Sequence, residues 1–204
     1  HYKNENVRQI LRELSRQFLE NSAAPLLLSC LKALERFRAN LIADDYTNYM
    51  RLASFVLEFH RLDWSSANGK AHYDPSLLRV VYNFDAFRFI LSRLGKYSDE
   101  GNKEEVKRKA NWNAIAAATT MLKEMMACLH EVHVNGTGEV RHEVEVILHN
   151  LLYYRALRDN LARLAKEWLP HLAPRSHYCN VIFATHHYMK LVTGFLREHK
   201  GFLT

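Results

Sequence analysis

The 204 residues are 48% hydrophobic with only 7 Gly and 4 Pro, which leaves little material for the many tight turns of a β-rich fold and favours an all-α chain. No apolar run approaches the about 18 residues a membrane span needs, and the N-terminal HYKNENV lacks signal-peptide character, so no membrane partner is expected. The formal charge of +6 is uneven: residues 141–204 hold nine Lys/Arg against five Asp/Glu, and residues 1–140 hold nineteen against seventeen, an excess that suits an acidic partner such as nucleic acid.

In chain order, a first helix is expected from about Asn6 to Leu19, with Val7, Ile10, Leu11, Leu14 and Phe18 inward, ended by Asn21 and Ser22. A second starts near Ala24, where Pro25 suits a first-turn position because its missing N–H would be unpaired there. It faces Leu27, Leu28, Leu31, Leu34 and Phe37 inward and fades at Ala43. Asp44 or Asp45 caps a third, which carries Tyr46, Tyr49, Met50, Ala53, Val56 and Leu57 on one side and Leu52, Phe55 and Phe59 on another, so it reads as sandwiched. The polar run Asp63 to Asp74 is a surface loop. Asp74-Pro75 opens a fourth helix with Leu78, Val81, Phe84, Phe87, Leu91 and Leu94 inward, and Gly95 closes it. Lys96 to Lys109 begins as a charged loop and leads into a fifth helix through Trp112, Ile115, Thr119, Leu122, Met126 and Leu129, stopped by Gly136 and Gly138.

Arg141 to Lys200 reads as a helical hairpin broken at Pro170 to Pro174. Its first arm places Val144, Ile147, Leu148, Leu151, Tyr154, Leu157, Leu161, Leu164, Trp168 and Leu172 on one buried face. The second arm carries two apolar lines, Val181, Ile182, Met189, Val192 and Leu196 beside Ala184, Tyr188, Leu191 and Phe195. A narrow strip of Asn180, His187, Lys190 and Arg197 stays polar. A helix so nearly apolar all round is expected to have neighbours on more than one side, which makes this hairpin the expected centre of the fold. Antiparallel helices with short connectors point to an α-solenoid of armadillo or HEAT type, although no repeat of about 40 residues can be aligned. The chain reads as one continuous helical-repeat unit, and a start at His1 with a stop at Thr204 suggests a segment of a longer protein.

The pattern of chemistry-bearing residues argues against an enzyme. There is no Gly-rich phosphate loop, nucleophile elbow or catalytic carboxylate pair, so no catalytic residue and no cofactor is assigned. His130 and His133 flank Glu131 three apart, whereas a zinc-protease helix sets its histidines four apart. His142 and His149 share a face and His186 and His187 point apart, so no metal ligand is assigned. Met121, Met125, Met126 and Cys128 read as gap-filling core. Cys30, Cys128 and Cys179, an odd number within apolar patterns, read as buried free thiols of a reducing compartment. The cations Arg155, Arg158, Arg163 and Lys166 on the hairpin's first arm, with Arg175, Lys190 and Arg197 on its second, are the candidate contacts for DNA phosphate or an acidic protein. The competing explanation is that they complement the helix dipole, opposite Glu139, Glu143 and Glu145 at the start of that arm. Lys103, Lys107, Arg108 and Lys109 form a second basic cluster, read as solvated surface.

The run HNLLYYRALRDNLARLAKEWLPHLAPRSHYCNVIFATHHYMKLVTGFL resembles the end of the Timeless-family helical domain: Asn150 before Leu151 to Tyr154, the turn Pro174-Arg175-Ser176, the pair Thr185-His186 and the step Lys190-Leu191 stand at the matching positions. Upstream, DDYTNYMRLASFVLEFHR and NSAAPLLLSCLKALE resemble two further segments of that family, with Ala24 where an asparagine is common. The family's long acidic insertions have no counterpart here, so contacts made by such insertions do not transfer. The resemblance implies a nuclear, non-enzymatic armadillo/HEAT-like scaffold of a fork-protection complex. Its implied partners are the replicative helicase, a Tipin-like protein, duplex DNA and a checkpoint mediator. The family's circadian branch, which binds period and cryptochrome proteins, is the alternative the resemblance leaves open.

Overall fold

The computed structural model describes residues 7, 10, 13–14, 17–37, 43–64, 79–101, 105–136, 138–166, 173 and 175–198. Every regular element among them is helical. The first departure from expectation is that no break separates the first two helices. A π-helical turn, Leu19–Ala23, runs straight into α1, Ala24–Arg36. Two features of the sequence favour the wider turn. The Asn21 side chain donates Nδ2 to the Gln17 carbonyl at 2.9 Å and competes with the backbone bond, and Pro25 has no N–H and would press its ring on the carbonyl four residues back. Of the inner face expected of residues 6–19, Phe18 is half-buried against the core, whereas Ile10 and Leu14 are exposed. In α1 only Leu27 and Leu34 are buried; Leu28 and Phe37 are exposed, and the helix ends at Arg36, not Ala43.

Helix α2, Ala43–Trp64, buries Tyr46, Tyr49, Met50, Ala53, Val56 and Leu57 as the periodicity requires, but leaves Phe55 exposed on its second side. A single turn α3, Arg79–Tyr82, meets α4, Phe84–Gly101, at Asn83. Asn83 closes one helix and caps the next: its N–H donates to Arg79 O at 3.2 Å, and its Oδ1 accepts from the Ala86 N–H at 2.8 Å. Helix α4 continues past Gly95 because that glycine costs only about 1 kcal/mol within a helix and the turn beyond it buries Tyr97. The expected loop start at Lys96 is therefore helical, and the loops after Trp64 and around Asn102 lie outside the described residues.

Helix α5, Glu105–Asn135, is the true centre. It packs against α2, α4 and α8, Arg175–Glu198, and more lightly against α6, Gly138–Tyr153. From Trp112 to His133 nearly every side chain is buried, including Met121, Leu122, Met125, Met126 and Leu129 at zero exposure. The methionines fill core as expected. Gly136 and Gly138 end α5: a side chain on Gly136 would collide with the Val132 carbonyl, and Gly138 holds φ 59. The first arm of the hairpin divides at Tyr154 into α6 and α7, Arg155–Lys166. There, Tyr154 N–H donates to Leu151 O and Leu157 N–H to Tyr154 O, both at 3.1 Å. This tightening turns the Tyr154 ring edge-on to Phe84, with centroids 5.6 Å apart. Val144, Leu148, Leu151, Leu157, Leu161 and Leu164 line the buried face as read from the sequence; Trp168 and Leu172 lie outside the described residues.

Paired contacts give helix directions. Leu57 and Arg61 of α2 meet Cys128 and Glu124 of α5, so these two run antiparallel. Trp112, Thr120 and His130 meet His177, Asn180 and His187, so α5 and α8 run parallel. Arg79, Phe84 and Leu94 meet Glu143, Tyr154 and Arg163, so α3–α4 runs parallel to α6–α7. A broken helix followed by an unbroken one thus occurs twice, about 60 to 70 residues apart, each helix lying alongside its counterpart.

The polar centre of this arrangement is Glu124, fully buried on α5. Arg61 Nε donates to its Oε2 at 3.1 Å, while Lys123 Nζ stands 2.5 Å from Oε1 without the alignment of a hydrogen bond. Arg61 is the partly exposed member, which lets water share the cost of its charge. Replacing Arg61 by Met should lower stability in urea unfolding by roughly 2 to 3 kcal/mol, because a buried carboxylate loses its aligned donor. The double replacement Arg61→Met, Glu124→Leu should recover most of that loss. A single variant as stable as the parent would show that the pair does not hold α2 on α5.

Candidate functional site

Helix α8 presents two unlike faces. Toward α5, α6 and α7 it buries His177, Tyr178, Val181, Ala184 and Leu191. The expected polar strip is divided. Asn180 turns inward and donates Nδ2 to Thr120 Oγ1 at 2.9 Å, and the His187 ring lies tilted against that of His130 of α5, with centroids 5.5 Å apart. Lys190 and Arg197 are exposed, and neither has an ion-pair partner among the described residues. Around them the outer face is apolar: Ile182 is 66% exposed, Met189 55%, Phe183 54% and Leu196 37%. Helix α8 does have neighbours on more than one side, α5, α6 and α7, as its apolar pattern requires, but its outer face is exposed among the described residues. Of its second line Ala184 and Leu191 are buried and Tyr188 and Phe195 half-buried, whereas Ile182, Met189 and Leu196 of the first are exposed. Cys179 is likewise exposed, not buried; Cys30 is half-buried and Cys128 buried.

A groove of about 550 Å³ runs between the C-terminal halves of α5 and α8 and the start of α6. Its rim carries Arg141, Lys190 and Arg197, with His130, His186 and Met189 among its walls. Gly194 brings the helices together, since a Cβ there would lie 3.0 Å from His133 Nε2. Arg141 is held by Glu198, which accepts from Nη2 at 2.8 Å, and by Glu145, which accepts from Nε at 3.3 Å. The Glu198 bond, then its charge, raise the Arg141 pKa above the usual guanidinium value. Lys190 and Arg197 are seven residues apart and so share a face, with Arg175 within about 60° of them around the helix.

The cations of α7 do not join this group. Arg155 donates Nε to Asp159 Oδ2 at 3.2 Å. Arg163 is a structural residue: its Nη2 donates to Asn160 Oδ1 at 2.6 Å and to Leu94 O at 3.4 Å, tying α7 to α4. Arg158 lies near enough to Tyr188 to act on its hydroxyl. Tyr188 and Lys190 point about 200° apart on α8, so Arg158 and Lys190 occupy different sides. Arg155, Arg158 and Lys166 share one exposed face of α7. Lys103 and the side chains of Lys107, Arg108 and Lys109 lie outside the described residues. Sequence reasoning missed Arg141, His130 and His186 as groove residues. Each joins the groove only through the parallel packing of α5 and α8, which has no local signature.

Among the described residues no three His, Cys, Asp or Glu side chains are placed to hold a metal ion, and no helix is long and apolar enough to cross a membrane. An all-helical array with a cationic, apolar-edged outer face has the makings of an interaction module. No family model matches the chain. Among curated proteins it is 27% identical over 194 residues to the protein timeless homolog of Mus musculus and equally to that of Homo sapiens, covering 95% of this chain. This similarity supports membership of the Timeless family. The chain spans about 15% of the length of these relatives.

The buried histidines make stability pH-dependent. Burial, then the charges of His130, His186, Arg61 and Lys190, lowers the His187 pKa to about 4. Burial also lowers His130, with Lys190, His133 and His186 acting in the same direction and Glu131 against, and burial lowers His177. The folded state therefore prefers neutral rings, and between about pH 6.5 and pH 4 the unfolded chain binds more protons. Stability is full above pH 6.5 and falls as pH drops through that window. Urea unfolding at a series of pH values should show this decline, and His187→Gln should flatten it; an unchanged slope in the variant would remove His187 from the account.

Proposed function

We propose that this chain is part of a non-enzymatic Timeless-type scaffold of a replication fork-protection complex, acting in the nucleus with the replicative helicase, a Tipin-like protein, duplex DNA and a checkpoint mediator. The observation that carries the reading is the similarity to the timeless homologs along 95% of the chain. An armadillo/HEAT-like α-solenoid is the matching architecture. It is supported by the parallel stacking of α3–α4 on α6–α7 and of α5 on α8, the relation between equivalent helices of successive repeats. A surface with several exposed cations and no assembled catalytic group among the described residues serves assembly more readily than chemistry.

Two separated basic faces allow two kinds of partner. The outward face of α7, with Arg155, Arg158 and Lys166, suits duplex phosphate because Arg158 and Lys166 have no ion-pair partner among the described residues and no large exposed hydrophobic side chain lies between Arg155 and Lys166. The α8 face, with its exposed apolar residues, suits a protein. Duplex binding measured against salt should fall steeply in the parent, and Arg158→Ala and Lys166→Ala should each reduce the logarithmic slope by about one, equally for all DNA sequences. Absence of duplex binding at low ionic strength would contradict the DNA assignment. Co-purification with the replicative helicase and a Tipin-like protein is the expected assembly; recovery with period or cryptochrome proteins in their place would move the chain to the clock branch.

A further inference from the structure

We infer that the outer face of α8 is a docking site for one amphipathic helix of a partner protein, lying along Ile182, Met189 and Leu196 and presenting acidic residues to Lys190 and Arg197. The inference rests on the scaffold reading and names the chemistry of one of its partners. Three independent features of the face converge on this occupant.

The first is spacing. Ile182, Met189 and Leu196 recur every seven residues, and all three are exposed. With His186 and Thr193 between them they form the alternating three-and-four seam that a second helix packs into. The second is charge. Lys190 and Arg197 also recur at seven, immediately C-terminal to Met189 and Leu196, and flank the apolar seam along one side. Each lines the groove shared with α5. A partner helix with Asp or Glu along the matching edge would neutralise these cations, whereas a basic edge would be repelled. The third is the pattern of the fold. Helix α5 receives α8 along one side in parallel, through Thr120, His130 and His133. The outer face of α8 stands to α8 as that side of α5 stands to α5, so a helix is the shape that continues the packing. Duplex DNA fits this face poorly, because four exposed large hydrophobic side chains have no counterpart in a phosphate backbone.

Fluorescence anisotropy with a labelled helical peptide of about three heptads, Leu on its seam and Glu on its flanks, tests the site; the control peptide carries Lys in place of Glu. The 204-residue chain should bind the Glu peptide at least about tenfold more tightly than the Lys peptide. Ile182→Ser with Met189→Ser should weaken the Glu peptide by about tenfold or more, with thermal unfolding unchanged because both side chains are exposed. Lys190→Glu with Arg197→Glu should reverse the preference in favour of the Lys peptide, a gain that a folding defect cannot produce. Equal affinity for the two peptides, no binding of either, or preference unaltered by the charge reversal would overturn the proposal. So would sedimentation showing a dimer of this chain that Ile182→Ser dissolves, or loss of duplex binding on Lys190→Glu with no effect of Ile182→Ser on the Glu peptide. Failure here with intact duplex binding through α7 and intact helicase association would leave the scaffold reading standing, while peptide binding without those associations would do the reverse.

Discussion

Helix α5 imposes the constraint on which the rest of the structure depends. A helix whose side chains from Trp112 to His133 are buried on nearly every side cannot stand at a surface. It needs neighbours in at least three directions, and α2, α4 and α8 supply them. Several of the polar groups it carries inward find partners where they lie. Thr119 returns its hydroxyl to the Ile115 carbonyl, Thr120 accepts from Asn180, and Glu124 takes the Arg61 guanidinium. These polar groups set the alignment of the neighbours, because an apolar interface alone tolerates sliding and an aligned donor does not.

From that constraint the character of α8 follows. One side is committed to α5, through Asn180, His187 and the close approach at Gly194, and that commitment turns the opposite side outward. The inward side takes in polar groups that the sequence pattern would leave in water, and the outward side exposes Ile182, Phe183, Met189 and Leu196. Among the described residues a cationic groove edge thus lies beside an exposed apolar seam.

Much of the helical layout was legible because burial follows a 3.6-residue period. The buried faces of α2, α5, α6 and α7 contain the residues that periodicity assigned to them. What could not be read were effects that depend on a second element. Asn83 as a cap was hidden within an apolar run, and Tyr154 carries no helix-breaking signal; its turn is bound up with packing on Phe84. Pro25 and Asn21 looked like a boundary, yet a π turn absorbs both. The hairpin seemed central because α8 is apolar all round, whereas apolarity alone does not say which side the chain itself covers. The basic residues of α7 and α8 were visible as a set, but their separation onto different sides, and the recruitment of Arg141 into the groove, required the helix packing.

Helix α5 is the structural centre, and the face of α8 opposite α5 is exposed among the described residues. Amide hydrogen exchange resolved along the 204-residue chain tests this directly. The amides between Ile115 and Leu129 should exchange only with global unfolding, and those of α8 should open at lower free energy. Slowest exchange in α8, with α5 opening first, would contradict the account and return the hairpin to the centre of the fold.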